Sequence, residues 1–263
     1  MNKQPITTLL FDFDGTLSLI RTGWQDVMIE MMVDVLSEYA TEETPESISL
    51  LVKDCVDRLT GKQTIYQMIR LAEEVKKRGG KPEDPLQYKR RYHDRLMNKI
   101  AERRESLRSG RRDPDDFLMP GSRHFLKKLC EAGLSLYLAS GTDLEYVREE
   151  AELLQIADFF DERIYAAVDR VEDFSKAQVL EQIFSKHALQ GPELLSFGDG
   201  YVEILNTKQV GGIAIGVASD EFRPGRTNEW KRNRLIQAGA DLVIPGFSEQ
   251  EELLSFLLSP EYV

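Results

Sequence analysis

Two aspartates separated by one residue, Asp12 and Asp14, close a short apolar run and are followed by Gly15 and Thr16. Two carboxylates at the end of a strand are costly to ionise together unless a cation lies between them. The pair therefore points to a metal-assisted reaction centre. Phosphoryl transfer suits the spacing. Asp12 would attack phosphorus and carry the phosphoryl group as an aspartyl phosphate. Asp14, two residues on, would protonate the leaving oxygen and later deprotonate water. A bound Mg²⁺ would reduce the repulsion between these carboxylates and an anionic substrate. By themselves the same residues also fit a strand that ends in an acidic turn.

Further candidates lie at the ends of later apolar runs. Asp199 stands between Gly198 and Gly200 after a short apolar stretch, and Glu203 follows four residues on, one helical turn away. Both carboxylates can then face one point, as a hard Mg²⁺ ion requires. Ser140, Gly141 and Thr142 follow the run Leu134 to Ala139. A hydroxyl and backbone N–H groups at a strand end can hold a phosphoryl oxygen, although such a Ser-Gly pair is also an ordinary turn. Lys176 opens a helical pattern, where the helix dipole mildly disfavours a cation, so a paired or ligand-facing lysine is indicated beside the surface alternative.

The stretch Asp12-Phe13-Asp14-Gly15-Thr16 resembles the first motif of haloacid dehalogenase-like phosphohydrolases. An apolar strand ending in Ser140 resembles the second, and Gly198-Asp199-Gly200-Tyr201-Val202-Glu203 resembles the fourth, with glutamate in place of the more usual aspartate. The resemblance implies that Asp12 is the nucleophile and Asp14 the acid and base. It also implies that Lys176 neutralises the nucleophile and the phosphoryl group. It maps the Mg²⁺ ligands to the Asp12 side chain, the Asp14 backbone carbonyl and Asp199, with Glu203 supporting. The helical insert between the first and second motifs resembles the cap of the phosphoglycolate phosphatase-like branch.

The elements around these residues change period along the chain. From Ile6 to Phe11 the apolar run reads as a strand buried on both faces, and Gly15 lets the backbone turn as it leaves. Residues 18–112 read as helices: Trp24 to Tyr39, then a second from Thr44-Pro45, a third from about Ile65 and a fourth carrying Tyr88, Tyr92, Leu96 and Ile100. Strands and helices then alternate: strands at 134–139, 164–168, 194–197, 213–217 and 241–244, with helices at 175–187 and 252–258 among them. The expected fold is α/β, a Rossmann-like parallel sheet from residues 1–17 and 113–263 with an inserted all-helical cap at 18–112. The polar turn Thr60 to Thr64 carries Lys62. It is either a plain interhelical turn or, by the resemblance, a loop that reads the substrate's leaving group.

Composition narrows the classes. The 263 residues are 41% hydrophobic and 30% charged, with a formal net charge of −11. That balance argues against broad binding to nucleic acid or anionic membrane and implies local capture of an anionic metabolite. A basic stretch, Lys89 to Arg112, holds ten Lys or Arg against three acids. It reads as a solvated helix face followed by a linker, with a nucleic-acid patch as the alternative. No apolar run approaches a membrane span, and the chain enters its first strand without a signal-peptide layout. Cys55 and Cys130 read as buried thiols of a reducing compartment, so a cytoplasmic location is expected.

The leading expectation is a Mg²⁺-dependent phosphatase acting on a small phosphorylated metabolite of the sugar phosphate or phosphoglycolate type. A phosphomutase would share the core, but its sugar-phosphomutase relatives carry a histidine near the start of the cap, where this chain reads Arg21-Thr22-Gly23-Trp24. A catalytically silent regulatory protein is the third reading. The oligomeric state is not legible.

Overall fold

The computed structural model describes residues 6–39, 43–167, 176–248 and 251–257. The chain divides into two compact units, Met1–Thr22 with Arg103–Val263, and Gly23–Glu102. The sequence reading set these divisions at 17/18 and 112/113. The last turns of the fourth helix fall in the larger unit, where Arg103, Arg104 and Arg108 find their partners.

The smaller unit is helical among its described residues. Helix α1 (Trp24–Ser37) buries Val27, Met28, Met31, Met32, Val35 and Leu36, a stripe at steps of three and four. Helix α2 (Pro45–Leu59) opens on Thr44, whose hydroxyl accepts from the Ser47 N–H at 3.2 Å, with Pro45 at the first helical position. Helix α3 (Thr64–Lys77) and helix α4 (Pro85–Arg108) follow, the latter burying Tyr88, Tyr92, Leu96 and Ile100 at every fourth residue.

Much of the basic charge of α4 and its tail is matched locally. Arg91 pairs with Glu83 at 2.6 Å and Arg95 with Asp34 at 2.6 Å. Within the larger unit Arg104 and Arg108 both pair with Glu149, and Arg112 pairs with Asp116. Arg103 donates to the carbonyls of Ile20 (2.7 Å) and Thr22 (2.8 Å), pinning the segment that leaves the first strand.

The larger unit is built on six parallel strands: β1 (Thr8–Phe11), β2 (Ser135–Asp143), β3 (Ile164–Ala167), β4 (Leu194–Gly198), β5 (Ile213–Val217) and β6 (Leu242–Ile244). Their order is β3-β2-β1-β4-β5-β6. Parallel neighbours need crossovers, and among these are helices α5 (Ser122–Glu131), α6 (Leu144–Leu153), α7 (Lys176–His187), α8 (Tyr201–Gln209) and α9 (Glu229–Gln237), with α10 (Glu251–Leu257) after the last strand. Strand β1 is apolar because both its faces are covered. Leu10 packs with Tyr137, Ala139 and the α7 residues Val179, Leu180 and Ile183. On the opposite face the Phe11 ring stacks on Phe197 of β4 at 4.7 Å, and Phe125 meets Phe197 edge-on at 5.4 Å. Each such fully buried side chain contributes about 1.5–3 kcal/mol.

The sheet order reverses direction between β1 and β4. In open parallel sheets that switch point leaves a crevice beyond the strands' carboxyl ends, where ligands gather. Asp12 follows β1 there and Asp199 follows β4.

Two expectations are corrected in detail. The second strand is longer than residues 134–139: it runs through Ser140 to Asp143, because Asp143 pairs with Ala167 across a register irregularity. Cys55 is buried, whereas Cys130 is only half-buried. The ends expected at Val168, Ser175 and Leu258 lie outside the described residues.

Candidate active site

Asp12 continues the β1 ladder, its N–H donating to the Phe197 carbonyl at 2.9 Å. The ladder fixes the backbone, so the carboxylate projects from a rigid element. Its Oδ1 accepts from Lys176 Nζ at 2.5 Å and its Oδ2 from the Thr16 hydroxyl at 3.4 Å. Burial pushes this carboxyl up, with Glu203 and Asp199 adding to the rise and Lys176 working against it. Lys176 also bonds Glu203 Oε1. Burial alone would drive its ammonium toward neutrality, but Asp12 and Glu203 outweigh that and hold it protonated.

Asp14 sits in a tight loop in which the N–H groups of Leu17 and Ser18 both donate to the Phe13 carbonyl at 2.9 Å. Gly15 adopts φ +76, a region that L side chains rarely occupy, and a Cβ there would overlap Asp199 Oδ2. The Thr142 hydroxyl donates to Asp14 Oδ2 at 2.8 Å. Burial raises the Asp14 carboxyl to about 6, opposed by Arg21 and raised further by Glu150. A carboxyl so placed can carry a proton near neutral pH, as a general acid must.

The second expected cluster lies along the end of β2, with Gly141 and Thr142 half-buried. Ser140 is buried, and its Oγ accepts from the Thr142 N–H at 3.1 Å. That N–H is therefore engaged, as is the Thr142 hydroxyl. Gly141 lies between them on β2.

Asp199 and Glu203 stand at the end of β4 and in the first turn of α8. Gly198 is required beside Glu203: a Cβ on it would lie 2.7 Å from the Glu203 Cβ. Glu203 Oε2 is buried without a hydrogen-bond partner, as is Asp14 Oδ1.

Lys62 lies on the turn between α2 and α3 in the helical unit, its Nζ 5.9 Å from the Tyr66 ring centroid. Thr60, in the same turn, caps α2 by donating to the Val56 carbonyl at 2.9 Å.

Four further charged residues surround the centre and were not singled out for it from the sequence. Arg21 makes a two-pronged bond to Glu150, both arms at 2.9 Å, and its Nε lies 3.7 Å from Asp14 Oδ1. Glu150 is fully buried. On the other side Lys231 donates to Asp199 Oδ2 at 2.6 Å and to Glu221 Oε1 at 2.9 Å. Faint signals existed. Glu150 falls three residues after Val147 and four before Leu154, on the apolar face of its helix, and Lys231 shares a face with Leu235.

The oxygen donors suit a hard cation. Among the described residues no three His, Cys, Asp or Glu converge as a ready cage. Mg²⁺ asks for none: it is commonly held by one or two carboxylates, with water and phosphate completing its octahedron. Asp12 and Asp199 provide two carboxylates, close enough for Asp199 to raise Asp12. The orphaned oxygens of Asp14 and Glu203 border the same centre.

Comparison with known proteins agrees with this architecture. The family model for haloacid dehalogenase-like hydrolases matches residues 6–211. No curated protein matches the chain. Among solved structures, β-phosphoglucomutase from Clostridium difficile is similar with TM-score 0.64 and 13% identity, over 96% of this chain and 97% of that one. A predicted phosphoglycolate phosphatase from Haemophilus somnus gives TM-score 0.60 and 15% identity, over 94% and 97%. A HAD family hydrolase from Deinococcus radiodurans, with bound phosphate and sodium, gives 0.57 and 16%, over 97% and 99%. At these identities the structures bear on the fold alone. With the family model spanning residues 6–211 and the fold matching end to end, this chain belongs to the haloacid dehalogenase-like hydrolases.

Proposed function

We propose that the protein is a Mg²⁺-dependent phosphatase that hydrolyses a small phosphorylated metabolite through an aspartyl phosphate on Asp12. The observation that carries this reading is the contrast between two acids two residues apart. Asp12 is bonded to a buried ammonium at 2.5 Å, whereas Asp14 takes its bond from the neutral Thr142 hydroxyl at 2.8 Å; burial pushes both carboxyls up, that of Asp14 to about 6. One is set up as a nucleophile and the other as a proton donor, the division of labour that paired carboxyls use in group transfer.

Lys176 holds Asp12 in place and offers positive charge toward the incoming phosphoryl oxygens. Asp14 protonates the leaving oxygen as the bond to phosphorus breaks. Once the leaving group has departed, the same carboxylate takes a proton from the attacking water. Thr142 orients Asp14 through its hydroxyl, and Arg21, locked on Glu150, limits how far burial raises it. The Asp12 side chain, the Asp14 carbonyl and Asp199, supported by Glu203, would hold Mg²⁺, which supplies charge to neutralise the phosphoryl group. Lys62 is the proposed contact to the leaving group from the helical unit.

A panel of phosphorylated metabolites, assayed for phosphate release with and without Mg²⁺, tests this reading. Release from a sugar phosphate or phosphoglycolate that stops with chelator and returns with Mg²⁺ is expected. Conversion of a sugar 1-phosphate to its isomer without net phosphate would replace it with a mutase, and no turnover of any substrate would favour a silent member.

A further inference from the structure

Lys231 is a second buried lysine at the centre, and the roles given above to the other residues leave it without one. It lies on α9, 7% exposed, and its three ammonium protons have three oxygen partners. Two are Asp199 Oδ2 at 2.6 Å and Glu221 Oε1 at 2.9 Å; the third is Ser219 Oγ at 3.5 Å. Ser219 in turn donates to the Gly15 carbonyl at 2.7 Å. The lysine thus links the loop after β1, the end of β4 and the segment after β5. Asn228 caps α9 by accepting from the Lys231 N–H at 3.1 Å, which fixes where the side chain begins. Burial opposes the ammonium's charge, but Asp199 and Glu221 outweigh it and keep it protonated.

The consequence falls on Asp199. Its Oδ2 is held by Lys231 and crowded by Gly15, where even a Cβ would collide. Its Oδ1 takes no hydrogen bond from the described residues. An oxygen bonded to an ammonium and crowded on its other side is the poorer ligand, so the carboxylate presents Oδ1 to a cation more readily than both oxygens together. Ca²⁺ favours six to eight oxygens and readily takes both from one carboxylate, whereas Mg²⁺ takes one from each in a strict octahedron.

We propose that Lys231, held by Glu221 and Ser219, is a positioning residue that reserves one oxygen of Asp199 and thereby biases the centre toward Mg²⁺ over Ca²⁺. This rests on the metal-dependent reading above and adds to it a residue that sets the choice of ion. Lys231→Met keeps the length and the apolar stem while freeing Oδ2. Glu221→Gln keeps Lys231 on Asp199 but removes the compensating negative charge.

The test is calorimetric titration of the full-length protein with MgCl₂ and with CaCl₂, independent of turnover. For Lys231→Met the Ca²⁺ affinity should rise relative to that for Mg²⁺ by about tenfold, the scale on which partners of metal ligands act. For Glu221→Gln both affinities should fall together with their ratio held. Protection against thermal unfolding by each ion gives a second measure of the same ratio. A Lys231→Met ratio equal to that of the wild type, where the wild type binds Mg²⁺, overturns this inference and leaves the phosphatase reading standing. Lys231→Gln, shorter and uncharged, decides the matter if Lys231→Met does not fold: a ratio equal to that of the wild type overturns the inference there too. A wild-type protein that binds no Mg²⁺ removes the metal reading and this inference together.

Discussion

Lys176→Met removes the ammonium from between Asp12 and Glu203 while keeping the side chain's length. In the wild type the pair is nearly dry, with Lys176 at 9% and Asp12 at 7% side-chain exposure. Taking one partner from a buried ion pair costs about 3–5 kcal/mol, since the other charge is left uncompensated. For a chain of this size that corresponds to a Tm lower by roughly 10 °C. The loss should depend on pH, with a definite sign. Burial already pushes the Asp12 carboxyl up, and Lys176 is the group that pulls it down. In the variant the folded-state pKa therefore lies further above the unfolded one, and the folded state holds the extra proton between them. Stability then falls as pH rises through that window. The gap to wild type should be small at an acid pH below that window and full at a pH above it. In an Asp12→Asn background one of the two crowded charges is already gone, so Lys176→Met should cost less there, with a coupling of about 1–3 kcal/mol. Thermal melts of the four proteins at both pH values measure this. A gap that does not change with pH, or costs that simply add, would refute the electrostatic role assigned to Lys176.

Three other substitutions probe separate parts of the site. Thr142→Val removes a hydrogen bond that favours the ionised form of Asp14, so the falling limb of kcat/KM, expected near pH 6 from that carboxyl, should move up by about one pH unit; an unmoved limb separates Asp14 from the proton transfer. Gly15→Ala forces a side chain onto a backbone at φ +76 and into Asp199 Oδ2, so the Mg²⁺ concentration for half-maximal rate should rise by about tenfold or more, read from an activation curve. Lys62→Ala should lower kcat/KM on the true substrate by about tenfold through loss of one charge-assisted contact, while a small aryl phosphate that lacks the natural leaving group is turned over as before. Equal losses on both compounds, or none, would return the turn to a purely structural part.

What was legible in the sequence followed from locality. The α/β class could be read because strands such as β1 carry unbroken apolar runs, here Leu9 to Phe11, as a sheet covered on both faces requires. Asp12, Asp14 and Asp199 stood out because they close apolar runs, with glycine beside Asp14 and on both sides of Asp199. Lys176 could be singled out by its place at a helix start, and the structure brings its Nζ to Asp12, 164 residues away in the chain. Other features depend on partners that no local pattern announces. The extension of β2 to Asp143 needs β3 beside it. Glu150 is buried because Arg21, 129 residues away, neutralises it, and Lys231 because Asp199 lies 32 residues back. A charged residue on an apolar helical face marks such sites only weakly, since the same pattern arises when a long side chain reaches out to solvent.

The most direct test of the central claim is to catch the phosphoryl group on the protein. Asp14→Asn leaves Asp12 able to attack but removes the base that activates water, so the covalent form should outlive its normal span. The variant would be mixed with Mg²⁺ and an aryl phosphate whose leaving group needs no protonation, quenched in acid, digested and examined by mass spectrometry. The account predicts one phosphoryl group on the peptide from the end of β1, labile to hydroxylamine as an acyl phosphate is, and absent when Asp12 is also replaced by Asn. Phosphate released by the wild type with no phosphoryl group trapped on Asp12, or with one found on another residue, would contradict it.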